Sequence, residues 1–174
     1  MKRRAERTAT SGVLGRAAAA GALLLVVSLA RPGRGAEKEA PVAFVVNAGN
    51  AAADVTSAQL RRIYLGEETR WSGGAKITIL LLPAGREERR LLFDRLLRMS
   101  DDDYVRHWIA KVFQGEATTG PKTVSSPASM EKLVAGLPGA IGFLRASDVT
   151  PGGPLRVLRI DGKVPGEPGY PLEP

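Results

Sequence analysis

The chain has 174 residues, 44% of them hydrophobic and 25% charged, with 25 Lys and Arg against 18 Asp and Glu and a formal charge of +7. That composition supports one globular core of about 140 residues and excludes a disordered or collagen-like chain. With no cysteine present, disulfide frameworks, thiolate zinc sites, thiol nucleophiles and cysteine-borne lipid anchors are excluded as well.

The charge is concentrated at one end. Residues 1–36 hold Lys2, Arg3, Arg4, Arg7, Arg16, Arg31 and Arg34 against Glu6, a balance of +6. The 18 basic and 17 acidic side chains of residues 37–174 leave +1, so no basic stripe remains to meet nucleic acid. The basic stretch leads into AAAAGALLLVVSLA, residues 17–30, and then into a Gly/Pro/Arg break. Basic head, apolar middle and small residues at the end is the layout of a secretory signal peptide. Its apolar run is shorter than the roughly 20 residues that a membrane-spanning helix needs. Cleavage is expected after Ala30, by the small-x-small pattern Ser28-Leu29-Ala30, or after Ala36. The location implied is periplasmic or secreted, and the alternative is an inner-membrane signal anchor.

Residues 37–41 read as a solvated linker, and a domain is expected over 42–174. The apolar, β-branched run at 41–49 predicts a buried strand ended by Asn and Gly. Thr56 and Ser57 are N-cap candidates for a helix with Leu60, Ile63, Tyr64 and Leu65 at helical spacing, stopped by Gly66. Residues 71–74, Trp-Ser-Gly-Gly, are turn material, and 76–83 predict a second strand closed by Pro83. A helix follows over about 86–98, with Leu92, Phe93, Leu96 and Leu97 as its apolar stripe. Ser100 caps the next helix, whose first turn carries Asp101, Asp102 and Asp103 at the positive end of the dipole. Its expected buried face is Val105, Trp108, Ile109, Val112 and Phe113. Residues 114–126 read as a loop. Ser129 is the expected cap of a helix with Met130, Leu133, Val134 and Leu137, stopped by Pro138-Gly139. AIGFLR at 140–145 and LRVLRI at 155–160 predict two further strands, and the tail is too rich in Pro and Gly for regular structure. Strands alternating with helices predict an α/β fold, a mixed sheet flanked by helices.

No phosphate loop, nucleophile elbow or H-E-x-x-H motif is present, so no catalytic residue is assigned and no enzyme is expected. His107 is the lone histidine, which leaves no histidine pair for a metal and implies a structural or solvent-facing role; neither a metal nor a cofactor is expected. Two places carry candidate contacts. Gly85, Arg86, Arg89 and Arg90 open a helix directly after a buried strand, where free backbone N–H groups and guanidinium donors suit an oxyanion. The alternative is a solvated helix start with ion pairs one turn apart. Trp71, in a Gly-containing turn, is either a contact residue or a lid on the core.

The ordered segments SAQLRRIYLGEETRWSGGAKITILLLP, a helix carrying LLF, HWIAKVFQGEA, LVAGLPGAIGFL and RIDGKVPGEPGYPL, between Phe44 and Leu172, resemble the second lobe of phosphate ABC transporter substrate-binding proteins. The resemblance implies a type II periplasmic-binding-protein-like (PBP-like) fold and extracytoplasmic capture of a solute, with a small anion such as phosphate as ligand and a membrane permease or another envelope protein as partner. Members of that family hold the ligand between two lobes, and this chain covers one. The family's Ser-Gly-Thr turn falls on Glu87-Glu88-Arg89. A carboxylate about 4 Å from a bound anion opposes it by roughly 4 kcal/mol at an effective dielectric of 20. A second expectation is therefore an envelope interaction module that kept the fold, lost the ligand and works through a partner or as a homodimer.

Overall fold

The computed structural model describes residues 40–174. Residues 1–36, expected as a signal peptide, and residues 37–39 of the expected linker lie outside the described residues. The chain runs β1 (Val42–Asn47), β2 (Asp54–Val55), α1 (Ser57–Tyr64), β3 (Thr78–Leu81), α2 (Glu87–Leu91), α3 (Asp101–Phe113), β4 (Lys122–Thr123), α4 (Pro127–Gly136), β5 (Ala140–Arg145), β6 (Leu155–Val157) and β7 (Arg159–Ile160).

Five strands form a mixed sheet in the order β4-β3-β5-β1-β6, and β2 pairs with β7 in a separate parallel ribbon. β3 is parallel to β4 and β5, whereas β1 is antiparallel to both β5 and β6. The C-terminal ends of β3 and β5 and the N-terminal end of β1 therefore share one end of the sheet. Successive side chains alternate between the faces. In β5, Gly142 faces α4, where an added Cβ would stand 2.3 Å from Met130 Sδ. Phe143 faces the other way and joins Phe44 and Tyr64 of α1 at ring-centroid separations of 5.7–6.3 Å. The two helices thus cover opposite faces, and the core runs through the sheet.

The tail makes no regular element but is fixed to the sheet. Val42 N donates to Leu172 O at 3.2 Å and the Tyr170 hydroxyl donates to Val42 O at 2.7 Å. Burial pushes the Tyr170 phenol well above its ordinary pKa.

Several expectations are corrected in detail. The segment 155–160 is two strands in two sheets: at the fully buried Leu158, whose N–H donates to Phe44 O, the chain leaves the main sheet for the ribbon. The expected loop 114–126 contains the edge strand β4. α4 is capped by Ser126, whose hydroxyl accepts from Ser129 N, with Pro127 at its first position; Ser129 lies inside the helix, and Leu133 and Leu137 are about two-fifths exposed rather than buried. The helix expected at 86–98 is five α-helical residues followed by a π-helical stretch at Leu92–Leu97. Arg98 closes it at φ 52° and donates to Phe93 O at 2.7 Å.

The largest correction concerns α3. Ser100 caps it as expected, its hydroxyl accepting from Asp103 N. Its buried residues, however, are Tyr104 and Trp108, while Val105 (50%), Ile109 (57%), Val112 (41%) and Phe113 (91%) are exposed. The helix lies beside the short edge strand β4, which leaves an apolar cavity of about 350 Å³ lined by Leu81, Val105, Trp108, Ile109, Phe113 and Pro121. A two-residue edge strand is too narrow to cover an apolar face of this width.

Candidate anion-facing turn

β3 ends at Leu81, and beyond Leu82-Pro83 the chain reverses through Gly85 at φ +84°, a left-handed conformation that glycine reaches without steric cost. Nothing lies within 4 Å of where a Cβ would stand on Gly85, so the turn opens outward. Arg86 then begins α2 in an extended conformation, without a side-chain cap. At five residues, α2 offers little helix dipole, and the chemistry of the turn rests on its side chains.

The three arginines expected to face an anion all have carboxylate partners. Arg90 pairs with Glu87, and with Asp94 at 3.4 Å. Arg89 points inward: its Nε and Nη2 donate to Asp101 Oδ1 at 2.8 and 2.6 Å, and its Nη1 donates to Leu82 O at 2.7 Å. Its guanidinium also lies 5.2 Å from the Phe93 ring centroid. Arg89 is thus a clamp joining β3, α2 and the start of α3. Arg86 Nη2 donates to Glu88 Oε1 at 2.8 Å. A cavity of about 250 Å³ beside the turn is lined by Gly85, Arg86, Arg89, Arg90, Phe93 and Asp101, among others. The structure therefore gathers all four sequence candidates at one concavity, at the end of the sheet shared by β3, β5 and β1.

Trp71 does not join them. It is 5% exposed and its Nε1 donates to Gly139 O at 3.1 Å, so it is a lid on the core rather than an exposed contact. His107 is structural, with Nε2 2.9 Å from Leu65 O. Among the described residues no group of three or more His, Asp or Glu is placed to hold a metal ion, and no helix is long and apolar enough to cross a membrane.

Behind this turn lie two things that the sequence does not show: the approach of Arg145, and the burial of Glu88, which the resemblance sets in the turn. Arg145 ends β5, and its Nε lies 3.4 Å from Glu88 Oε1. Glu88 itself is 1% exposed, although it reads as part of a solvated helix start. The available signal was a basic residue ending an otherwise apolar strand, and one sequence does not reveal which strand ends meet.

No family model matches this chain, and no curated protein matches it. Among solved structures it is similar to an ABC-type phosphate transport receptor from Vibrio cholerae (21% identity, TM-score 0.58, 72% of this chain and 48% of that one). It is also similar to a putative phosphate ABC transporter substrate-binding protein with bound phosphate from Clostridium perfringens (22%, 0.57, 71% and 46%). A third is PstS from Borrelia burgdorferi (14%, 0.56, 72% and 49%). The chain spans just under half the length of each of these structures. The fold is therefore that of one lobe of the phosphate ABC transporter substrate-binding proteins, PBP-like, built on a mixed five-stranded sheet.

Proposed function

We propose that the protein is an extracytoplasmic solute-binding-type protein that binds a small oxyanion such as phosphate in uptake or sensing. It acts by binding rather than by catalysis. In this reading residues 1–36 direct export and are cut after Ala30 or Ala36, the mature chain works in the periplasm or is secreted, and its partner is a membrane permease or another envelope protein. The observation that carries the reading is the β3–α2 turn, where Gly85, Arg86, Arg89 and Arg90 line one concavity at the shared end of the sheet. Gly85, Arg86 and Arg90 are the proposed contacts, with Arg89 holding the turn in place. Calorimetric titration with phosphate and other oxyanions tests this. Saturable heat at millimolar ligand supports it, and no heat with no thermal shift overturns the ligand while leaving the fold.

One observation favours a second reading, an envelope interaction module that works as a homodimer. α3 exposes Val105, Ile109, Val112 and Phe113 and has an acidic first turn and a basic last turn at Lys111. A second copy packed antiparallel would cover the apolar stripe and bring ends of opposite charge together. Light scattering tests it: a dimer that Phe113→Ser converts to monomer supports it, and a monomer at high concentration removes it.

A further inference from the structure

Glu88 is the most buried charged side chain among the described residues. Two guanidinium groups converge on one of its oxygens: Arg86 Nη2 at 2.8 Å and Arg145 Nε at 3.4 Å from Oε1. The other oxygen, Oε2, is buried with no hydrogen-bond partner, and so is Arg86 Nε. The carboxylate therefore serves Arg86 incompletely. It gives Arg86 one acceptor where the guanidinium fork can use two, and it leaves its own second oxygen without a donor. Buried groups left in this condition are costly.

We infer that Arg86 and Arg145 form an oxyanion site whose occupant in the resting chain is the chain's own Glu88 carboxylate. The inference rests on the function proposed above and adds to it Arg145 as a contact and Glu88 as the internal competitor. An oxyanion with three or four oxygens can meet Arg86 Nε and Nη2 together and still reach Arg145, which one carboxylate oxygen does not do. The arginine side chains are 39% and 28% exposed and Glu88 1%, so the cations border solvent while the carboxylate sits beneath them. An incoming anion must displace Glu88 or accept its repulsion. Glu88, tethered to the same helix turn as Arg86, competes at a high effective concentration. Phosphate binding by the unaltered chain is accordingly weak, in the millimolar range.

The test is calorimetric titration of inorganic phosphate into the wild-type chain and into Glu88→Ala, Glu88→Gln and the double variant Arg86→Ala/Glu88→Ala, with circular dichroism to verify folding. The expected result is phosphate affinity at least about a hundredfold higher in Glu88→Ala, the scale of one removed like charge at close range. A smaller gain is expected in Glu88→Gln, which keeps the shape and loses the charge, and the gain disappears in the double variant. If the wild type binds phosphate as tightly as Glu88→Ala, internal occupancy is overturned and the function proposed above stands. A gain that survives Arg86→Ala overturns the placement of the site. If the folded wild type, Glu88→Ala and Glu88→Gln all fail to bind phosphate, both the site and the proposed function are overturned.

Discussion

The turn after β3 and the outer side of α3 are neighbours in sequence and opposites in finish. At the turn, each arginine meets a carboxylate: Arg86 with Glu88, Arg89 with Asp101, and Arg90 with Glu87 and Asp94. Along α3 the apolar side chains Val105, Ile109 and Phe113 have no such matching and lie largely in solvent. The difference separates two kinds of surface. Charges matched within the chain hold a backbone turn in one shape, which a small-ligand site requires. An unmatched apolar stripe contributes little to the fold of one copy and is a cost until something covers it.

Substitutions on the two sides should therefore differ in kind. The largest effect is expected for Arg89→Ala, which removes a buried guanidinium from Asp101 and Leu82 O. Chemical denaturation should show a loss of about 2–3 kcal/mol, moderated because Asp101 can turn to water. Next is Gly66→Ala, on the inward side of α3. Its new Cβ would stand 2.4 Å from the Trp108 ring at φ +68°, and a loss of about 2 kcal/mol is expected in the same assay. Tyr104→Phe removes the hydroxyl that donates to Tyr64 O at 2.7 Å and should cost about 1 kcal/mol.

The buried tyrosines predict a pH response. Burial raises the phenols of Tyr64, Tyr104 and Tyr170 above their ordinary pKa. Above about pH 10 the unfolded chain gives up tyrosine protons that the folded chain keeps. The unfolded state then binds fewer protons, so stability falls as pH rises. Denaturation midpoints should be level from neutral pH to about 9 and decline beyond it. Ile109→Ser and Phe113→Ser should give the smallest effects, within about 0.5 kcal/mol for the monomer, because both side chains are already exposed. A loss of 2 kcal/mol there would mean that α3 is covered within a single copy, and the contrast with the turn would fail.

The contrast also marks what the sequence could reveal. Ser100 as a cap and AIGFLR as a strand were legible, because local side-chain bonding and a β-branched, apolar run decide them. The inward face of α3 was not. Val105, Ile109, Val112 and Phe113 have helical spacing, yet spacing shows that a stripe exists and not that the fold covers it. The candidate arginines were legible as cations after a strand. Their partners were only partly so: Glu87 and Asp94 lie one turn from Arg90 along the chain, whereas Arg145 reaches Glu88 across 57 residues through the pairing of β3 with β5. That cross-sheet meeting turns a helix start that reads as solvated into a buried cluster.

Whether the matched turn is the anion-facing wall is tested most directly by amide chemical-shift mapping of the wild-type chain during phosphate titration. Millimolar-range shifts are expected, centred on Gly85, Arg86 and Arg145, with the α3 amides from Val105 to Phe113 unmoved. Shifts confined to α3, or none at the turn up to saturating phosphate, would contradict it.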